Sequence, residues 1–162
     1  MKVGIVMGSK NDYPVVERTE NILEQFDVPY ETRIISAHRT PSVAEEYSGG
    51  AEDDGIEVII AAAGKAAHLA GVLAAGTALP IIGLPVKSST MDGLDSLLSV
   101  VQMPKGVPVA TVAIDGAENA GLLAVQILSL KYDELRVKMH EYKAAMEREI
   151  VRIDSEFRNE KG

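Results

Sequence analysis

The chain has 162 residues, 46% of them hydrophobic, a length and composition suited to one domain with a substantial core. A formal net charge of -8 argues against a nucleic-acid protein, which needs a basic face to neutralise phosphates. The absence of cysteine excludes disulfides and thiolate metal sites and fits a cytoplasmic protein, and the absence of tryptophan, with only 4% aromatics, disfavours base-stacking platforms.

In chain order, residues 2–7 (KVGIVM) read as a buried strand, β-branched and apolar on both faces. Their run is too short for a signal peptide, and no later run approaches the roughly 20 residues of a membrane helix. Residues 13–26 have apolar positions at helical spacing, with Asp12 as a candidate N-cap and Pro14 in the first turn. A strand at 29–36 follows, then a helix at 41–54 that Gly49 and Gly50 weaken. Strands are expected at 56–62, 80–84 and 107–114, alternating with helices at 66–76, 92–101 and 116–130. A long charged helix at 132–159 closes the chain and is a candidate for contact with a neighbouring subunit.

Repeated β-α units with apolar strands point to an α/β fold of three layers, a doubly wound parallel five-stranded sheet with helices on both faces. Ligands bind such sheets at the carboxyl ends of the strands, so the loops there carry the chemistry. The first loop, MGSKND, places Gly8 and Ser9 before a helix N-terminus, a natural phosphate cradle; Asp12 is suited to capping that helix or accepting ribose hydroxyls. It has neither the dinucleotide glycines nor a Walker pattern. The second loop, SAHRTP, sets Ser36, His38, Arg39 and Thr40 in one turn: an arginine fork for phosphate beside a side chain type that exchanges protons near neutral pH. The third, AAAGKAAHLAG, is small enough for a planar ligand to lie on its backbone and carries His68, for which a packing role and a site role are both open. In the fourth, Lys87, Ser88, Ser89 and Thr90 serve either a ligand or the cap of the next helix. No metal-ligand spacing stands out, and His140 reads as solvent-facing.

Together GIVMGSKND, SAHRTP, AAHLAG, PIIGLPVKSS, GLDSLLSVVQMPKGVPVATVAI and NAGLLAVQIL resemble, in order and spacing over residues 2–145, the 5-(carboxyamino)imidazole ribonucleotide mutases of purine (IMP) biosynthesis. These are the catalytic-subunit family of bacterial-type phosphoribosylaminoimidazole carboxylase. The resemblance implies a flavodoxin-like fold and a homo-octamer with sites at subunit junctions. It implies an isomerase that moves a carboxylate from the exocyclic nitrogen to ring carbon C4, through CO2, with no cofactor or metal. It also carries phosphate and ribose contacts to Ser9, Asp12 and Arg39. The base and carboxylate region falls on Ser36, Ala37, His38, Gly64, Ala66, Ala67, His68 and Leu69, with His38 the choice for proton shuttle; Lys65, between them, is a substrate-binding candidate of this chain that the family pattern does not supply.

Two positions depart from the mutase pattern Ala-Gly-Gly-Ala-Ala-His-Leu-Pro. Lys65 stands at the second glycine and Ala70 at the proline. The related direct carboxylases, which take CO2 and the unsubstituted aminoimidazole ribonucleotide, usually carry arginine at the Lys65 position but read Ser-Ala-His-Lys in the second loop. The His-Arg turn therefore speaks for the mutase and Lys65 leans toward the carboxylase. A non-catalytic nucleotide-binding module of the same fold is the reading from a different class, and the adjacent proton carrier argues against it.

Overall fold

The computed structural model describes residues 1–161. The sheet consists of β1 (Val3–Met7), β2 (Tyr30–Ile34), β3 (Val58–Gly64), β4 (Ile81–Val86) and β5 (Ala110–Thr111), all parallel, in the order β2-β1-β3-β4-β5. The helices are α1 (Tyr13–Gln25), α2 (Pro41–Gly50), α3 (Leu69–Gly76), α4 (Leu94–Val101), α5 (Ala117–Leu128) and α6 (Asp133–Lys161), with short 3-10 turns before α1 and α4. The order is that of a flavodoxin-like fold, in which the chain changes direction between β1 and β3 and leaves a crevice at their carboxyl ends.

Side-chain alternation along the three central strands divides the core in two. Val3, Ile5, Val58, Ile60, Ile82 and Leu84 pack against α1, α5 and the first turns of α6. Val6, Ile59, Ala61 and Ile81 pack on the other side against α2, α3 and Val100 of α4. Fully covered on both faces, β1, β3 and β4 have to be apolar throughout, which is how their sequences read. Helices α1 and α5 approach closely because Gly121 has no side chain; a Cβ there would stand 2.9 Å from Ile22. The buried Thr19 hydroxyl donates to Ala117 O at 2.9 Å across the same seam.

The edges differ from the sequence reading. Strand β2 is half-buried to exposed rather than apolar on both faces, because it has a neighbour on one side only. Strand β5 is two residues long instead of eight. It is the other edge, Pro108 has no N–H to donate, and pairing past Thr111 thins to single bonds such as Val112 N to Gly83 O. Helix α2 stops at Gly50, where the glycine pair removes helical preference, and Ala51 to Gly55 form turns. Helix α3 starts at Leu69 rather than 66, so the segment 65–68 is loop.

Candidate active site

The carboxyl ends of β1, β2, β3 and β4 meet around a cavity of about 640 Å³, the size range of small-molecule sites. Every strand-end loop singled out up to β4 reaches it. Ser9 and Asp12 come from the first loop; Ser36, Ala37, His38 and Arg39 from the second; Gly64, Lys65, Ala66, His68 and Leu69 from the third. Ala67 does not line it: its side chain is buried in the α2/α3 core layer, because a residue between two wall positions turns inward. Gly8, Asn11, Ala63, Val86, Lys87, Ser88 and Ser89 complete the wall. The strand-end position of KSS was the sequence signal for the last three.

Ser9 rather than Asp12 caps the helical start. Its Oγ accepts from Asn11 N at 3.2 Å, whereas the Asp12 side chain makes no capping bond. Asp12 is 9% exposed, and burial pushes its carboxyl above the usual aspartate range. A group whose pKa is raised on folding favours the folded state below its unfolded pKa and loses that contribution as pH rises through the folded value. At neutral pH the ionised Asp12 thus costs stability, the usual compromise at a binding site. Asp12→Asn is expected to raise the melting temperature of the empty protein at pH 7, to shrink that gain toward pH 4, and to weaken nucleotide binding. Thermal melts over that pH range check it.

The second loop braces itself. Arg39 N donates to Ser36 Oγ at 3.2 Å, Ser36 N donates to Thr40 Oγ1 at 3.0 Å, and Thr40 N to Ser36 O at 2.8 Å. The Arg39 guanidinium donates through Nη2 to Gly8 O at 3.0 Å and through Nε to Ser36 Oγ at 3.3 Å. This ties the second loop to the first, and among the described residues Nη1 has no hydrogen-bond partner. His38 then meets the third loop: its Nε2 lies 2.8 Å from His68 Nδ1, with the rings edge-on at 79°. At that distance one ring donates and the other accepts, so the pair holds a shared proton between two loops. Sequence reading left the role of His68 open, since the contact depends on loops thirty residues apart. His38, Arg39 and His68 are all exposed on the single chain.

Lys65 has φ of 57°, in the left-handed region. Asp27, Met91, Asp92 and Asp115 share that region; aspartate tolerates it, whereas for lysine, as for Met91, it costs about 1–2 kcal/mol relative to glycine. The backbone itself explains why a glycine suits this turn. In the fourth loop Ser88 Oγ donates toward the Asp95 carboxylate at 3.0 Å, and Lys87 Nζ pairs with Asp92 at 3.2 Å. Among the described residues no three His, Asp or Glu side chains gather to hold a metal ion, and no helix is long and apolar enough to cross a membrane.

A family model described as AIR carboxylase matches residues 2–149. The N5-carboxyaminoimidazole ribonucleotide mutase of Pyrococcus abyssi is 60% identical over 147 residues, 91% of this chain and 84% of that protein. That of Thermotoga maritima is 59% identical over 150 residues, covering 93% and 88%. The chloroplastic phosphoribosylaminoimidazole carboxylase of Vigna aconitifolia is 51% identical over 93% of this chain, which spans only 27% of that longer protein. Among solved structures, Treponema denticola PurE superposes with a TM-score of 0.88 at 29% identity, over 96% of this chain and 97% of that one. With the family model matching residues 2–149 and two mutases about 60% identical over nine-tenths of its length, the chain belongs to the AIR carboxylase family.

Proposed function

We propose that residues 1–162 form one catalytic domain, a mutase. It converts 5-(carboxyamino)imidazole ribonucleotide to 4-carboxy-5-aminoimidazole ribonucleotide in purine biosynthesis. The observation that carries this reading is the His38–Arg39 turn, which puts a proton carrier beside an anion fork at the cavity wall. The identity of about 60% to mutases that match this chain nearly end to end supports it over the direct carboxylase.

The substrate's 5′-phosphate lies against Ser9, Arg39 and the start of α1, and Asp12 accepts from the ribose. Ser36, Ala37, Gly64, Ala66, His68 and Leu69 surround the ring and the carboxylate, while Ala67, buried behind them, shapes the backbone of its loop. The nitrogen–carboxylate bond breaks, its electron pair stays on nitrogen, and His38 delivers a proton there. CO2, held in the cavity, is attacked by ring carbon C4, and the C4 proton returns to His38. One histidine serves both halves because the first leaves it ready to act as base in the second. Holding CO2 next to C4 supplies much of the acceleration through proximity.

Retaining CO2 requires a closed pocket, yet His38, Arg39 and His68 face solvent on one chain. A second copy is the natural cover. Past Met139, α6 carries Met146, Ile150, Ile153 and Phe157 along one helical stripe, all exposed. We propose a homo-oligomer, octameric as the resemblance implies, working in the cytoplasm on small molecules without cofactor or metal.

The test offers the protein two substrates separately: the carboxyamino nucleotide, and the aminoimidazole nucleotide with bicarbonate. Rapid turnover of the first alone is the expected result. Turnover of the second at equal or higher rate would make the protein a direct carboxylase.

A further inference from the structure

Three cations line the cavity: Arg39, Lys65 and Lys87. Two are engaged. Arg39 donates to Gly8 O and Ser36 Oγ, and Lys87 pairs with Asp92. Among the described residues Lys65 forms no ion pair. Among the described residues Asp12 is the one carboxylate on the wall; it comes from the first loop, while Lys65 follows directly after β3, in the loop that carries His68. Lys65 also keeps a left-handed backbone that a glycine would adopt without strain. Strain retained at a binding cavity is characteristic of functional positions.

Given the mutase reading, on which this inference rests, the substrate brings two anionic groups. Strand order places them. The phosphate end belongs over β1 and β2, where Ser9 and Arg39 stand; the other anion falls over β3, on the His68 side. We propose that Lys65 is a specificity-determining residue whose ammonium holds the migrating carboxylate in both substrate and product.

The carboxylate is anionic while bonded to nitrogen and again once bonded to C4, and neutral as CO2 in between. When the nitrogen–carbon bond breaks, the electron pair goes to nitrogen with the proton from His38, and the ammonium loses its partner. When C4 donates its pair to the CO2 carbon, the negative charge reappears on oxygen beside Lys65. The ammonium therefore favours the two bonded states over free CO2 and shortens the interval in which CO2 can leave.

The test uses Lys65→Met, which keeps side-chain length and the strained backbone while removing the charge, with Lys65→Arg and Lys65→Gly as companions. Calorimetry gives the affinity of each for the 4-carboxy nucleotide and for the uncarboxylated aminoimidazole ribonucleotide. Lys65→Met is expected to bind the carboxylated nucleotide roughly tenfold more weakly, a charge-assisted bond partly exposed to solvent, and the uncarboxylated one within about twofold of the parent. Lys65→Arg is expected to restore the difference, and Lys65→Gly to lose it while melting at a higher temperature. Equal weakening toward both nucleotides, or none toward either, overturns the assignment. Failure of the mutase reading looks different: the unsubstituted protein itself would fail to turn over the carboxyamino nucleotide.

Discussion

Replacing His38 with asparagine is expected to lower turnover of the carboxyamino nucleotide by about 10²–10⁴-fold while nucleotide affinity stays within a fewfold of the parent, the pattern of a lost proton carrier. The split follows from geometry. The turn's bracing runs through Ser36, Arg39 and Thr40, none of it through the His38 ring, so the anion fork survives the substitution. What disappears is the ring 2.8 Å from His68. If the two histidines act as one unit, the losses are not additive: His68→Asn reduces turnover, and adding it to the His38 variant costs little more. Single-turnover rates and equilibrium binding measure both quantities. Substantial turnover by the His38 variant would remove His38 from the mechanism.

Arg39→Met carries the second large effect, on binding. Arg39 is fixed by Gly8 O and Ser36 Oγ before any ligand arrives, so little ordering cost remains when a phosphate takes the free edge of the guanidinium. A charge-assisted bond of about 1.5–3 kcal/mol corresponds to roughly a 10–100-fold loss of nucleotide affinity. The nucleoside lacking the phosphate separates this from damage to the loop, since its affinity is expected to be the same in both proteins. An equal loss for nucleoside and nucleotide would place Arg39 in the structure of the turn and not on the phosphate.

The sheet was largely legible because β1, β3 and β4 are covered on both faces and had to be written as continuous apolar runs. The edges were read less completely. The strand expected at 29–36 is β2, Tyr30–Ile34, but it is half-buried to exposed and not apolar throughout, and β5 keeps two residues of the eight expected because its far side has no partner. The site was legible as a set of strand-end loops, since parallel sheets gather such loops at one edge. Details that depend on three-dimensional competition were hidden. Ser9 makes the capping bond for which Asp12 was one candidate, and the Asp12 carboxylate is left buried and without a capping role. Ala67 turns into the core between two wall residues. The meeting of His38 with His68 requires two loops to close on each other, which no local pattern records. The left-handed turn at Lys65 was foreshadowed only by the glycine that the resembling mutases carry there.

In the proposed reaction the carboxylate leaves nitrogen and reaches C4 without escaping the cavity. The most direct measurement supplies carboxyamino nucleotide labelled with carbon-13 in its carboxylate, in buffer with excess unlabelled bicarbonate, and reads the label in the product. Most of the product is expected to keep the label at short reaction times. Product whose carboxylate has equilibrated with the unlabelled pool would overturn the internal transfer, because the protein would then be fixing free CO2 and not holding its own.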